Sequence, residues 1–291
     1  MHAPASGRLR AVIFDLDGTL AETEREGHRV AFNDAFRRLG LPDRWDEVLY
    51  GILVRIAGGK ERLAHYFDTY RPIPSADRDR LSAEIYRLKN EIFVQMLESA
   101  PIAARPGVRR LLDDLAAEGL AVAIATAGSR EWVEPLLGRA LGRDRLARFS
   151  VVVTGEDTAR KKPDPEAYAV ALRQLGCPPA EALAVEDSEN GVRAAKAAGL
   201  TCLVVRSFYS ESHDLTGADM VVDEFGDEMT VVGVLFNPHG VPVRDRITAD
   251  TLRRLHSADV AERIAFGQSS LPPTRVDRRV LSEEHSPDDA D

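Results

Sequence analysis

From Pro106 to Val222 the sequence repeats one pattern, a helical stripe of apolar residues followed by a short run of strand-forming residues. Val108, Leu111, Leu112 and Leu115 make the first stripe, Gly119 caps it, and 120–125 reads as a buried strand ending at Thr126. Helices predicted over 130–141, 165–175 and 190–198 lead in turn to strands at 151–154, 182–185 and 202–205, with a shorter strand at 220–222. Such alternation is satisfied by a parallel sheet with crossover helices on both faces, so the expected class is α/β with a Rossmann-like core.

An earlier strand belongs to the same sheet. Val12, Ile13 and Phe14 have the β-branched and aromatic character of a strand buried on both faces, and Asp15, Leu16, Asp17 and Gly18 follow at once. Parallel α/β sheets bind ligands at their carboxyl ends, which makes the two acids a candidate site; the alternative is an acidic turn in solvent. Two residues apart, Asp15 and Asp17 would share a face, with Leu16 pointing into the core.

Between 22 and 100 nothing reads as a strand. Phe32, Ala35, Phe36 and Leu39 fall on a helical period that Gly40 and Pro42 stop, and further helices are predicted over 45–56, 60–70 and 78–97. The expected organisation is a core of 8–21 and 103–256, a helical cap domain at 22–102, and a disordered tail from 257 to 291, too polar to bury a core. Within the core, 231–236 could be an edge strand or a packing arm, and 248–255 a last helix with Thr248 as N-cap.

Bulk composition narrows the partners. With 38 basic and 47 acidic residues the net charge is −9, and no long Lys/Arg block interrupts it, which argues against nucleic acid or an anionic membrane. The amino-terminal stretch shows no apolar leader core, and no run approaches the length of a membrane span, so a cytoplasmic location is expected. Cys177 and Cys202 follow no metal spacing and read as structural thiols. The chain is expected to act as a monomer.

The ends of the predicted strands carry the chemistry. Thr126, Ala127 and Gly128 follow the second strand, Arg160, Lys161, Lys162 and Pro163 the third, and Glu186, Asp187 and Ser188 the fourth. Taken singly, Thr126 could be a strand-end hydroxyl, Lys162 a surface lysine, and Glu186 with Asp187 a helix cap. Arg160 and Lys161 lean towards solvated charge.

As an ordered set, Asp15-Leu16-Asp17-Gly18-Thr19, Thr126, Lys162-Pro163 and Glu186-Asp187-Ser188 resemble the four motifs of the haloacid dehalogenase-like superfamily of aspartate-nucleophile phosphatases. The resemblance spans about 10 to 225. Glu24, His28, the run Gly58-Gly59-Lys60-Glu61-Arg62 and the run from Glu186 to Val192 further resemble the CbbY-type sugar-phosphate phosphatases. The resemblance implies Asp15 as nucleophile, Asp17 as general acid and then base, and Thr126 and Lys162 as ligands of the transferring phosphoryl group. It also implies a magnesium ion held by Asp15, the Asp17 carbonyl and Asp187, with Glu186 joining directly or through water.

Electrostatics supports such an ion. Four carboxylates meeting in one crevice repel by roughly 4 kcal/mol per close pair at an effective dielectric near 20, and carboxylate oxygens suit a hard cation. Four acids with Mg²⁺ and Lys162 leave one negative charge, which a proton on Asp17 would cancel. In the cap, Glu24, His28, Gly58, Gly59, Lys60 and Arg62 are expected to face the non-reacting part of the substrate, with Ala127 and Gly128 beside them. There Lys60 and Arg62 could grip a second phosphate. His28 could equally be a helix-surface imidazole, and Arg62 half of an intrahelical pair with Glu61.

The expected activity is Mg-dependent hydrolysis of a sugar phosphate through an aspartyl-phosphate. The subgroup resemblance points to xylulose-1,5-bisphosphate, a misfire product that inhibits the carbon-fixing carboxylase of the Calvin cycle. The alternative is a β-phosphoglucomutase-like sugar phosphomutase, and a non-catalytic binding protein would be expected to have lost the first Asp or the Lys.

Overall fold

The structure is a computed structural model that describes residues 8–100 and 102–265. Seven strands form one sheet in the order β3-β2-β1-β4-β5-β6-β7: β1 (Ala11–Phe14), β2 (Ala121–Ala125), β3 (Phe149–Val153), β4 (Ala182–Glu186), β5 (Thr201–Val205), β6 (Met220–Val222) and β7 (Val234–Phe236). The first six are parallel and β7 runs antiparallel to β6. The expected parallel α/β sheet is therefore present, and the last part of the arm at 231–236, Val234–Phe236, is its edge strand.

β1 lies in the centre, pairing Ala11 with Ala121 on one side and with Ala182 on the other. The order in which strands are added reverses across this point, since β2 and β3 extend the sheet one way and β4 to β6 the other. The β1/β4 crevice is the switch point where ligands of doubly wound sheets sit. Alternation along β1 feeds two cores: Val12 and Phe14 join a large apolar cluster on one face, Ala11 and Ile13 an alanine-rich one on the other. Small residues in that second cluster, Ala123, Ala125, Ala182 and Ala184, accompany helices seated on this face.

The chain between β1 and β2 is helical. A π-helical turn, Glu24–His28, runs into α1 (Arg29–Arg38), followed by α2 (Glu47–Leu53), α3 (Gly59–Thr69), α4 (Ser75–Ser99) and α5 (Val108–Ala117). Buried Trp45 organises this insert: its ring meets Phe32, Phe36 and Tyr66, and the Asn33 amide bonds both its backbone N–H (2.7 Å) and its carbonyl (2.8 Å). Gly58, at φ +91°, takes a conformation side chains avoid just where α3 begins. Beyond β2 come α6 (Arg130–Leu141), α7 (Arg143–Leu146), α8 (Glu166–Leu175), α9 (Glu189–Ala197) and α10 (Ala249–Ala265).

Two expectations need correction here. β1 ends at Phe14, so Asp15 to Ala21 form a turn, with Leu20 N–H on the Leu16 carbonyl (2.9 Å), and strand alternation does not extend to Asp17. The expected tail at 257 also begins too early. α10 continues to Ala265, because Asp259 is buried and accepts from the Thr201 hydroxyl (2.5 Å) and from Arg263 (2.9 Å to Oδ1). A polar residue count could not foresee that these groups satisfy one another; residues 266–291 lie outside the described residues. Thr248 does cap α10, its hydroxyl accepting the Thr251 N–H at 3.1 Å.

Candidate active site

Two strand ends, those of β1 and β4, and one loop deliver the charged groups. Lys162, in the loop before α8, places its ammonium between Asp15 Oδ1 (2.6 Å) and Glu186 Oε1 (2.5 Å), and all three are buried. Glu186 is fully enclosed, and the Tyr168 hydroxyl donates to the same oxygen at 2.5 Å. Its other oxygen receives the Asp187 N–H (3.3 Å) and the Ser188 hydroxyl (3.4 Å). Asp187 is oriented by Ser207, whose hydroxyl reaches Oδ2 at 2.6 Å. Gly18 turns the chain away here, and a Cβ at that position would sit 2.2 Å from Asp187 Oδ2.

Negative charge dominates this cluster. Burial pushes the Asp15 carboxyl up to about 8; Lys162 opposes the rise, while Glu186 and Asp17 add to it. Asp187 is pushed well above the carboxylate range by burial and then by Asp15 and Glu186. Burial works against charge on Lys162, but Asp15 and Glu186 outweigh it and raise the ammonium above its ordinary value. Carboxylates and lysine moving up together report one condition: a buried site with more negative than positive charge, which favours gaining a cation. Asp15, Glu186 and Asp187 each present a ligand atom within 4.8 Å of the others. An all-oxygen, buried, charge-excess set fits a hard divalent ion.

Asp17 differs from the expected picture. Its carboxylate is not in that group; it turns to the insert, where the Thr23 hydroxyl donates to it and His28 Nε2 lies 3.1 Å away. Burial would raise it, but His28, Thr23 and Lys89 prevail and hold it below the usual carboxylate range. His28 is itself pushed down by burial and by Lys89, so near neutrality it serves Asp17 as an Nε2–H donor rather than as a cation. Asp17 is therefore ionised near neutrality, and its carboxylate stands apart from the group formed by Asp15, Glu186 and Asp187.

Asp15, Asp17, Thr126, Lys162 and Asp187 line one cavity of about 320 Å³, together with Ala127, Glu24, Gly58 and Arg62. The Thr126 hydroxyl accepts the Gly128 N–H (3.0 Å), and a Cβ on Gly128 would meet Trp132 at 2.5 Å. His28, Gly59 and Gly128 line a smaller adjoining cavity of about 60 Å³. His28 is buried against Phe93 and Trp132, so it is not a surface imidazole. Arg62 pairs not with Glu61 but with Glu24 (3.5 Å) and the Tyr50 hydroxyl (2.6 Å), which in turn donates to Glu24. Lys60 departs from expectation: it is exposed, its ammonium 5.3 Å from the Tyr86 ring centre, and it borders a separate cavity at the seam with Glu156 and Lys161. Lys161 is half-buried on the Gly155 carbonyl rather than solvated.

Residues that sequence reasoning passed over complete the site. Tyr168 reads as helix core, Ser207 as a loop serine and Lys89 as one charge on a long helix. Yet Lys89 is buried among the rings of Phe32 (5.3 Å), Phe93 (5.2 Å) and Trp132 (5.5 Å), and burial, with the charge of Arg62, brings its ammonium down to about 7 against the pull of Glu24 and Asp17. A lysine at the apolar positions of a helix was the available signal.

Comparison with known proteins agrees with this geometry. The haloacid dehalogenase-like hydrolase family matches residues 9–199. Protein CbbY of Cereibacter sphaeroides is 42% identical over 223 residues, 75% of this chain and 94% of the relative. A phosphoglycolate phosphatase of Photorhabdus laumondii is 30% identical over 78% of this chain and 93% of its own. Crystal structures of CbbY from Rhodobacter sphaeroides, one with phosphate and one of a mutant with xylulose-(1,5)bisphosphate, superpose with TM-score 0.68 at 41% identity. They cover 74% of this chain and 94% of that protein. The chain belongs to the haloacid dehalogenase-like hydrolases, as a CbbY-like phosphatase.

Proposed function

We propose that the protein is a magnesium-dependent phosphatase that hydrolyses xylulose-1,5-bisphosphate through an aspartyl-phosphate on Asp15. The observation that carries this reading is the buried Asp15, gripped by Lys162 at 2.6 Å and facing a cavity walled by the insert. Asp15 attacks phosphorus in line, and the bond to the sugar oxygen breaks as the bond to the carboxylate forms. Lys162 and Thr126 meet the charge on the phosphoryl oxygens. A bound Mg²⁺, held by Asp15, Asp187, Glu186 and the Asp17 carbonyl, would offset the phosphate charge.

Asp17 supplies the proton. A phosphate dianion entering beside it raises its proton affinity, so the ionised carboxylate takes up a proton as substrate binds. It passes that proton to the leaving alkoxide, then removes one from the water that attacks the aspartyl-phosphate. The His28 and Thr23 contacts fix its direction through both steps. The core, 8–21 and 103–265 with α10 complete, and the cap at 22–102 suit this division of labour, chemistry below and selection above.

The test is inorganic phosphate release from xylulose-1,5-bisphosphate, ribulose-1,5-bisphosphate and β-glucose-1-phosphate, with and without Mg²⁺. Preferential, Mg-dependent release from the first supports the reading. No release from any of them refutes it, and glucose-6-phosphate formed from the β-1-phosphate identifies a mutase.

A further inference from the structure

Arg105 stands where the chain returns from the insert to the core. Outgoing and returning segments pair there, Ala21 bridging Ala104, and the Arg105 N–H donates to the Leu20 carbonyl at 3.0 Å. Its side chain is buried, and its guanidinium serves three segments that lie far apart in the sequence. Nη1 donates to the Gly18 carbonyl, in the turn after β1. Nη2 donates to the carbonyls of Arg206 and Asp223, just beyond β5 and β6, at 2.8 Å each. Nε reaches Glu224 Oε2 at 3.2 Å, which completes the set. One planar, five-donor group thus clamps three segment ends, a task the rigid fork of guanidinium suits and a point-like ammonium does not.

Two of those segments shape Asp187. Gly18 lies so close that a Cβ there would stand 2.2 Å from Asp187 Oδ2 and 3.2 Å from Ser207 Cβ. Ser207, the residue after Arg206, donates its hydroxyl to that same Oδ2 at 2.6 Å. The direction of the Asp187 carboxylate is therefore set between a turn and a strand end, and Arg105 is bound to both. Among the described residues, those lining the catalytic cavity do not include Arg105, so any effect it has on the site passes through these backbone groups.

We propose that Arg105 is a positioning residue for the metal: it clamps the Gly18 turn to the strand end that carries Ser207, fixes the Asp187 carboxylate between them, and so sets how tightly Mg²⁺ is held. The assignment rests on the magnesium reading above. Charge and geometry predict opposite signs for the loss of Arg105. Its positive charge reaches Asp187 and favours the ionised form, but it also repels a second cation. Deleting that charge alone would tighten Mg²⁺ binding, since a divalent ion gains twice what a competing proton gains. Losing the clamp weakens binding instead, because groups that orient metal ligands are worth about 10–100-fold in metal affinity.

Isothermal titration calorimetry of Mg²⁺ into the substrate-free full chain at about pH 8 tests it. Arg105→Met, which keeps the stem and removes the guanidinium, should raise the Mg²⁺ Kd by about tenfold or more. Arg105→Lys keeps the charge without the fork and should raise it by about threefold. Thr201→Val, which removes the donor to Asp259 at the opposite end of β5, should lower Tm and leave the Mg²⁺ Kd within about twofold. An unchanged or tighter Kd in Arg105→Met overturns the assignment, as does an equal shift in Thr201→Val, which would make the effect one of stability alone. Should Arg105→Met fail to fold, an unchanged Kd in Arg105→Lys overturns it. In each of these cases wild-type Mg²⁺ binding stands. If the wild-type chain takes up no Mg²⁺, the magnesium reading fails and the assignment falls with it.

Discussion

Replacing Tyr168 with Phe removes a single hydroxyl from the enclosed side of the site and tests whether Glu186 is the anchor of Lys162. Glu186 Oε1 has two donors, Lys162 and Tyr168, each at 2.5 Å, and the residue is fully buried, so water cannot take the place of a lost one. A hydrogen bond to a charged group contributes about 1.5–3 kcal/mol, and the substitution leaves no cavity. For a domain of this size each kcal/mol moves Tm by about 2–4 °C, so a fall on the order of 4–8 °C is expected in thermal unfolding. Lys162 is then the sole remaining donor to Glu186 Oε1 and is drawn from Asp15 towards it. If about 1 kcal/mol of its interaction with the phosphoryl group is lost, kcat falls roughly fivefold. Combined with Glu186→Gln, which removes the charge that the hydroxyl serves, the effects should be strongly non-additive. A Tyr168→Phe protein with unchanged Tm and kcat would refute the anchoring argument.

Two further outcomes follow from the same electrostatics. Asp15 and Asp187 bind protons more tightly folded than unfolded, so in chelator the folded state loses stability as pH climbs from the ordinary carboxylate range near 4 towards 8. Mg²⁺ competes with those protons, and the Tm gain it gives should therefore grow between about pH 5 and pH 8; a gain independent of pH would contradict the charge-excess account. Gly18→Ala places a Cβ 2.2 Å from Asp187 Oδ2 at φ +80°, costing about 1–2 kcal/mol in backbone strain alone. It should weaken Mg²⁺ activation and kcat far more than it lowers Tm, and wild-type kcat at low Mg²⁺ would show that Asp187 need not hold its position.

The sheet was legible because its strands are buried on both faces and so read as continuous apolar runs between helices; each predicted core strand is found, within a residue or two at its ends. The convergence of Asp15, Thr126, Lys162 and Asp187 on one cavity was legible for the same reason, since strand order places carboxyl ends together. What local pattern could not supply was orientation. Asp17 lies beyond the end of β1 and answers to Thr23 and His28, not to strand alternation. Lys60 and Arg62 sit two apart in one helix, yet one is exposed over Tyr86 and the other buried on Glu24, a difference set by tertiary partners. The polar stretch after 257 concealed a helix because Asp259 finds Thr201, 58 positions away in the sequence.

The central claim is that Asp15 carries the phosphoryl group, and acid quench of the enzyme during turnover of xylulose-1,5-bisphosphate with Mg²⁺, followed by peptide mass spectrometry, tests it most directly. A phosphoryl adduct on the peptide containing Asp15, absent in Asp15→Asn along with turnover, is the predicted result. Rapid turnover with no adduct at any quench time, or an active Asp15→Asn enzyme, would contradict it.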